Sequence, residues 1–222
     1  MAQTRFAMMS VVVLCFTSCG SDVTLAAPVT VGAWVRQGDC QRTITQGANL
    51  TFAVQGATRV TAQAYTPASG TYPSRLAVSV DGGPWNVVEA PISDHSQQIM
   101  LVPSLSRAHH DIRVVVSGIH ELSPFWSGDA GLIWCGVEGD ALAPSATPTK
   151  TALFMGDSIT AGIVIRGHDK RKGYPATTPA QSAAELAWPY LTATGLGLRG
   201  CLRPISSEYP CCPLHQAHNR WS

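Results

Sequence analysis

The sequence predicts an all-β, jelly-roll-like sandwich followed by the start of an α/β domain. Short stretches in which apolar and polar residues alternate recur throughout residues 29–140, with Gly, Pro and Asp between them. Residues 141–150 are rich in Pro and Ala, show no periodicity and indicate a linker. The apolar run Thr151–Met155 then leads into a loop, and a helical pattern follows. A strand, a loop and a helix in this order are typical of α/β proteins.

Within residues 29–140, several stretches predict strands because their Val, Ile and Thr residues alternate with polar ones. The hairpin signature Asp81-Gly82-Gly83 separates two of them. About seven to nine strands at this spacing, without a helical stretch, indicate a sandwich of the jelly-roll type. The stretches are Asn49–Gly56, Arg59–Tyr65, Arg75–Gly83, Trp85–Val88, Gln97–Val102, Asp111–Gly118 and Gly131–Gly139.

Residues 1–28 predict a secretory signal peptide. Arg5 precedes the apolar stretch Phe6–Phe16, which is too short to span a bilayer as a helix. Thr24–Ala26 suits an ordinary signal peptidase, whereas the residues that end at Cys19 resemble a lipobox and offer a lipid anchor as the alternative. A buried N-terminal strand is the competing interpretation. We therefore expect a secreted, periplasmic or cell-surface protein with no other membrane segment.

Composition and cysteine spacing limit the partners of the chain. Charged residues make up 13% of the 222 residues, the net charge is +1, and no basic run occurs, so nucleic acid is not an expected partner. Two of the seven cysteines, Cys40 and Cys135, lie near opposite ends of the β-rich region, and an oxidising compartment would let them pair. No CxxC spacing suggests zinc, and the sequence implies no other metal and no cofactor.

The residues after the linker divide into two parts. Residues 151–198 contain the apolar run and a helix predicted near Trp188–Thr194, with Pro189 in its first turn and Gly195 at its end. Residues 199–222 show no helical or strand period. We expect an irregular tail there, either an out-of-frame extension, a product of alternative splicing or a disordered end.

The stretch FMGDSITAG, Phe154–Gly162, has the residues of a nucleophile turn. A serine hydroxyl becomes reactive when it projects near a base and near free backbone N–H groups that hold the developing oxyanion. A turn between a buried strand and a helix supplies such N–H groups. Gly156 lets the chain turn beside the hydroxyl, and Asp157 ties the turn by bonding to nearby N–H groups. We expect Ser158 to be the nucleophile; the alternative is that Asp157 or Ser158 only caps a helix.

The same stretch resembles the first signature block of the SGNH, or GDSL-type, hydrolases. The resemblance implies a three-layer, flavodoxin-like α/β hydrolase domain in which Ser158 is the nucleophile and its backbone N–H is one oxyanion donor. A jelly-roll-like domain before the block is similar in layout to the two-domain carbohydrate esterase family 2, whose members remove acetyl groups from plant polysaccharides. The resemblance extends from about Val29 to Leu198 and implies acetylated polysaccharide, or another small ester, as substrate.

The later catalytic blocks of the SGNH hydrolases have no counterpart here. No Asp is followed by His three positions later, and the only Asn after Ser158, Asn219, lies outside a Gly-x-Asn-Asp context. We therefore expect a C-terminally truncated domain. The alternative bases are His168 in a charged loop and His215 and His218 near the end of the sequence. The remaining histidines are expected at the surface: His95, His109, His110 and His120.

These observations predict an ester hydrolase, a carbohydrate O-deacetylase that lacks its base and is inactive as printed. The rival interpretations are a non-catalytic carbohydrate-binding or adhesion module and the product of a broken gene. Tryptophan side chains in the sandwich could form a sugar-binding surface, because their rings stack well on pyranose faces. Trp34 and Trp134 are expected in the sandwich core, and Trp126 is the better candidate for an exposed sugar contact.

Overall fold

Short strands make up most of the computed structural model, which describes residues 28–120, 131–138, 141–145, 148, 150–156, 161–162 and 179–204. Up to residue 142, the strands form two six-stranded sheets. In chain order the strands are β1 (Val29–Val31), β2 (Val35–Gln37), β3 (Cys40–Thr43), β4 (Asn49–Gln55), β5 (Val60–Pro67), β6 (Ser74–Val80), β7 (Asn86–Ala90), β8 (Ile92–Ser93), β9 (Gln97–Val102), β10 (His109–Gly118), β11 (Leu132–Glu138) and β12 (Ala141–Leu142).

The two sheets pack face to face as a sandwich. Sheet A has the order β1-β4-β10-β6-β7, and β12 also pairs with β4. Sheet B has the order β2-β3-β11-β5-β8, and β9 also pairs with β5. All of these pairs are antiparallel except β5 with β8.

The core lies between the sheets and follows from the alternation in the sequence. Along β5, Val60, Ala62 and Ala64 are buried, whereas the residues between them are partly exposed. Phe52 on β4 and Leu76 on β6 are fully buried in the same cluster. Removing one such side chain from water stabilises the fold by roughly 1.5–3 kcal/mol.

Sheet A is buried on both faces, unlike a sandwich sheet that has one face in solvent. On β10, Val114 and Val116 point into the core, and Val115 between them is also fully buried. Val115 pairs with Ala77 on β6, and this pair packs against residues from the second half of the chain. The consecutive apolar residues of β10 are therefore explained by burial of sheet A on both faces, one against sheet B and the other against the second half of the chain.

The residues after the linker form a small parallel unit. Strand β13 (Thr151–Gly156) pairs in parallel with β14 (Arg199–Pro204). The described residues between them include two 3₁₀ turns, Pro179–Gln181 and Ala184–Leu186, and the helix α1 (Trp188–Gly195). None of the helices in the described part of the chain is long and apolar enough to cross a membrane.

The predicted strands are confirmed as β4, β5, β6, β7, β9, β10 and β11. The other strands of the sandwich were not predicted because two to four residues are too few for alternation to show. The helix is confirmed, with proline in its first turn, although it ends one residue later than predicted. Gly197, with a φ of 65°, takes the left-handed conformation after it.

Three predictions about the residues after Asp140 differ from the structure. The linker 141–150 begins with β12, which pairs Ala141 with Val54 because the edge of β4 has free backbone groups beyond β1. The tail 199–222 begins with the strand β14, which pairs with β13. The sequence did not predict this strand because a short strand that is stabilised by a distant partner need not show alternation of apolar and polar residues. The run Thr151–Met155 forms the predicted strand but is not buried, since Leu153 and Met155 are 55% and 50% exposed.

Candidate active site

The predicted nucleophile turn follows the carboxyl end of β13. Gly156 is the last residue of that strand and pairs with Pro204 of β14. Asp157 and Ser158 lie outside the described residues. The described flanks of the turn are therefore Gly156 on one side and Ala161 and Gly162 on the other.

The residues after the turn are held by the sandwich. Gln46, buried between β3 and β4, donates its Nε2–H to the carbonyl oxygen of Ala161 at 2.7 Å. Its Oε1 accepts the backbone N–H of Ile119 at 3.5 Å. Gly162 has a φ of 78°, and a Cβ atom there would lie 2.8 Å from the carbonyl oxygen of Ala183. Only glycine fits this conformation and this close approach.

Three further side chains of sheet A bind the second half of the chain. Asn49 Nδ2 donates to the carbonyl oxygen of Gly200 at 3.4 Å. Arg75 Nη1 donates to the carbonyl oxygen of Ala180 at 3.0 Å. Arg113 Nη1 donates to Tyr190 Oη at 3.3 Å. Hydrogen bonds from charged donors contribute about 1.5–3 kcal/mol each, so the two arginine contacts help to hold the second half of the chain on sheet A.

Apolar packing accompanies these hydrogen bonds. Tyr190 of α1 lies over Ala77 and Val115, and its ring meets Trp85 edge-on with centroids 5.7 Å apart. Burial raises the pKa of Tyr190, so its hydroxyl stays protonated and can donate as well as accept. Phe154 of β13 joins the same cluster and contacts the ring of Trp188 at 5.5 Å.

His120 was expected at the surface but is buried, with 7% of its surface exposed. It follows Ile119 and packs edge-on against Tyr72 with ring centroids 4.8 Å apart, and its buried Nδ1 has no hydrogen-bond partner among the residues that the structure describes. Burial lowers the pKa of His120, so the imidazole is neutral at pH 7 and can accept a proton. Because Gln46 connects Ile119 to Ala161, this imidazole lies on the side of the sandwich that holds the flank of the serine turn.

A second arrangement of catalytic residue types lies elsewhere on the sandwich. Ser106 Oγ is 2.9 Å from His110 Nε2, and His110 Nδ1 is 2.7 Å from Asp81 Oδ2. The hydrogen bond from His110 is the main cause of the lowered pKa of Asp81. A carboxylate accepts only, so Nδ1 carries the proton and Nε2 accepts from the hydroxyl, the connectivity of a Ser-His-Asp triad.

This triad-like row is remote from the serine turn. His110 and Gly118 lie at opposite ends of β10, roughly 27 Å apart at about 3.4 Å per residue. Gly118 is the end that contacts the second half of the chain, since a Cβ there would meet Pro179. His109 and His110, expected in a turn, are instead the first residues of β10, where His109 Nε2 lies 2.6 Å from Ser145 Oγ.

Other predicted residues have mixed outcomes. Trp134 is in the core, and Trp34 is partly buried against it. Cys40 and Cys135 are joined by a disulfide with sulfurs 2.04 Å apart, across 95 residues of chain. Within the described ranges, no three His, Cys, Asp or Glu side chains group as metal ligands. The remaining predicted site residues lie outside those ranges: Cys19, Trp126, His168, His215 and His218.

The sequence did not predict the residues that join the two regions. Gln46 and Arg113 are ordinary polar residues in β-rich sequence, and only their partners give them a role. One sequence feature could have indicated the contact: three consecutive valines in β10 are typical of a strand buried on both faces.

Comparison with known proteins gives a likeness of fold. No protein-family model matches the chain, and no curated protein does. A solved family two carbohydrate esterase from Cellvibrio japonicus aligns with a TM-score of 0.62 and 20% identity, over 79% of this chain and 48% of that one. One from Clostridium thermocellum, in complex with cellohexaose, aligns with a TM-score of 0.63 and 17% identity, over 79% and 50%.

An acetyl xylan esterase from the rumen bacterium Butyrivibrio proteoclasticus aligns with a TM-score of 0.61 and 15% identity, over 79% of this chain and 45% of that one. This chain therefore spans about half the length of these solved structures. Residues 29–140 are too few to supply an alignment over 79% of the chain, so the likeness reaches beyond the sandwich.

Proposed function

We propose that this chain carries the nucleophile of a carbohydrate esterase, Ser158, and acts on acetylated polysaccharide. One observation carries the proposal most directly. Strand β13 pairs in parallel with β14, α1 lies between them in the chain, and the serine motif follows the carboxyl end of β13. Ligands of open α/β sheets bind at the carboxyl ends of parallel strands. The fold likeness to esterases of carbohydrates supports the same substrate class.

The proposed reaction is acyl transfer through a covalent intermediate. The Ser158 oxygen attacks the acetyl carbonyl carbon, its proton passes to a base, and the sugar hydroxyl leaves with a proton. Water then attacks the acetyl-serine and releases acetate. By the family resemblance, the backbone N–H of Ser158 donates to the oxyanion. Gly156 and Asp157 would support the turn.

The base of this reaction has two candidate sources. The printed sequence has no Asp-x-x-His, and we propose that this motif and Gly-x-Asn-Asp are encoded in a downstream reading frame. Among the described histidines, His120 is the in-chain alternative, because it is neutral, has an unpartnered Nδ1 and lies beside the Gln46 bridge to Ala161.

Hydrolysis of p-nitrophenyl acetate and of acetylated xylan tests the proposal. The printed chain should turn over almost no ester, because a serine without its base and oxyanion partners loses about 10³–10⁶ in rate. A chain extended through the downstream frame should hydrolyse both, and Ser158→Ala should abolish that activity. Ser106→Ala is the matched control, because it removes the hydroxyl of the triad-like row, and it should leave the activity unchanged.

Each contrary result has a distinct meaning. Activity lost in Ser106→Ala but kept in Ser158→Ala would overturn the assignment of Ser158. Activity of the printed chain that needs both Ser158 and His120, tested with His120→Gln, would overturn the proposed downstream base. The proposed downstream base would also be overturned if all three downstream reading frames reached stop codons before encoding either motif.

We also propose that the protein is exported, with residues 1–28 removed as a signal peptide. Amino-terminal sequencing of protein recovered from the culture medium or cell envelope tests this. A blocked terminus at Cys19 would show the lipid anchor, and a terminus still at Met1 would contradict export by this route.

A further inference from the structure

The sandwich has an open edge where β1 of sheet A lies opposite β2 and β3 of sheet B. A cleft of about 380 Å³ lies there, lined by Thr30, Trp34, Arg36, Asp39, Cys40 and Gln41. Its volume falls within the roughly 300–1,000 Å³ typical of small-molecule sites. We propose that this cleft binds a neutral pyranose unit of a polysaccharide.

Trp34 supplies an apolar wall whose position is fixed. Part of its ring packs against the sandwich core, and the indole Nε1–H donates to the carbonyl oxygen of Val31 at 3.2 Å. The packing and the hydrogen bond together fix the orientation of the indole ring, so a ligand that binds there does not have to immobilise the side chain. An aromatic face of this kind suits the C–H face of a sugar ring, because it offers a large apolar area at little entropic cost.

Polar groups stand on the strands beside the ring. Arg36 and Gln41 are direct cross-strand partners in the β2–β3 pair, so their side chains share one face. Arg36 uses Nε for the carbonyl oxygen of Gly38 at 3.1 Å, and its terminal nitrogens have no partner among the described residues. Gln41 lies beside Arg36 in the lining of the cleft, but its Oε1 is buried, so the charged groups that a ligand can reach are those of Arg36 and Asp39.

The wall that carries these groups is rigid. Gly38, with a φ of 60°, forms the tight turn with Asp39 between β2 and β3. The next residue, Cys40, is covalently joined to Cys135 of β11. Asp39 and Gln41 therefore flank a cross-linked position, and the site is preorganised rather than formed by the ligand.

The charges of the cleft indicate which ligands fit. Arg36 and Asp39 are both exposed and of opposite sign, so their charges balance across the opening. A neutral polyol can accept from the guanidinium of Arg36 and donate to the carboxylate of Asp39. An anionic sugar would gain from Arg36 but be repelled by Asp39. This balance favours a neutral pyranose over a uronate.

The test uses the full chain with the substitution Ser158→Ala, which removes the proposed nucleophile. Binding at the cleft is then measured without ester hydrolysis, and the result does not depend on whether the esterase proposal holds. Calorimetry measures binding of xylohexaose, cellohexaose and tri-galacturonate. NMR follows the indole N–H resonance of Trp34 during the same titrations, and this resonance is assigned by its loss in Trp34→Phe. A neutral oligosaccharide should bind and shift that resonance. Arg36→Ala and Asp39→Ala should each weaken binding on the order of tenfold.

Arg107→Ala is the matched control, because Arg107 is an exposed arginine outside the cleft, and it should bind like the parent chain. The proposal is overturned if neither neutral oligosaccharide binds, or if binding occurs without loss in Arg36→Ala and Asp39→Ala. Binding of tri-galacturonate alone would overturn the assignment of a neutral ligand.

Discussion

The sandwich and the residues after Lys150 differ in how they bury apolar surface. The sandwich closes its own core, in which Phe52, Leu76 and Ile112 are fully buried between two sheets. The described residues of the later region form two parallel strands, two 3₁₀ turns and one helix, and several of their large apolar side chains are half exposed or more. These are Leu153, Met155, Trp188, Leu191 and Leu196.

This difference shows that one region is self-sufficient and the other is not. Parallel strands are ordinarily covered on both faces. Here Phe154 and Tyr190 are covered because sheet A offers Ala77 and Val115 as a flat apolar surface. Among the described residues, the second region packs its buried side chains against sheet A, whereas the sandwich core is formed by residues of the sandwich itself.

The largest effect is expected from the disulfide within the sandwich. Replacing both Cys40 and Cys135 with Ser should lower the free energy of unfolding by about 4 kcal/mol, because the bond closes a loop of 95 residues in the unfolded chain. Urea denaturation of exported protein measures this, and peptide mapping without reductant checks the pairing. Two alkylatable thiols at these positions in exported protein would contradict it.

A charged side chain on the face of sheet A that contacts the second region should weaken the packing between the two regions. Val115→Asp places a carboxylate on the fully buried outer face of sheet A, at a cost of about 3 kcal/mol. We expect the amide hydrogens of Trp188–Gly195 to lose protection from exchange while the strands of sheet B keep theirs.

Val35→Asp is the control for this change, because it makes the same substitution at a residue that is 51% exposed on an edge strand. It should alter stability by less than about 0.5 kcal/mol. If the helix amides stay protected in Val115→Asp, sheet A does not hold the second region.

A smaller effect should come from His120 as the pH falls. Burial lowers the pKa of His120 from its ordinary 6.5, so the unfolded chain binds this proton more readily than the folded one. The free energy of unfolding should therefore decrease as pH drops from 6.5 through the lowered pKa. In His120→Phe this part of the pH dependence should vanish. An identical pH profile in the two proteins would show that the pKa of His120 is the same in the folded and unfolded chains, which would contradict its burial as a neutral group.

Local sequence patterns predicted much of the sandwich and little of the contact surface. The strand β5 was predictable because its buried and exposed residues alternate over eight positions, from Val60 to Pro67. The strand β14 was not, because Arg199–Pro204 has no alternation and is stabilised only by pairing with β13. The serine motif was evident because its residues are contiguous, whereas a base must come from elsewhere in the chain.

The sequence by itself determined the β-rich architecture, the helix at Trp188, and the serine motif at Phe154–Gly162, since each depends on neighbouring residues. Only the tertiary structure decided that Gln46 binds Ala161, 115 residues away, and that His120 is buried and neutral. It also created the cleft at Trp34 from strands of two different sheets. The physical reason is that the burial of a residue, its pKa and the shape of a cleft depend on contacts between residues that are distant in the sequence. Local sequence periodicity contains no information about those contacts.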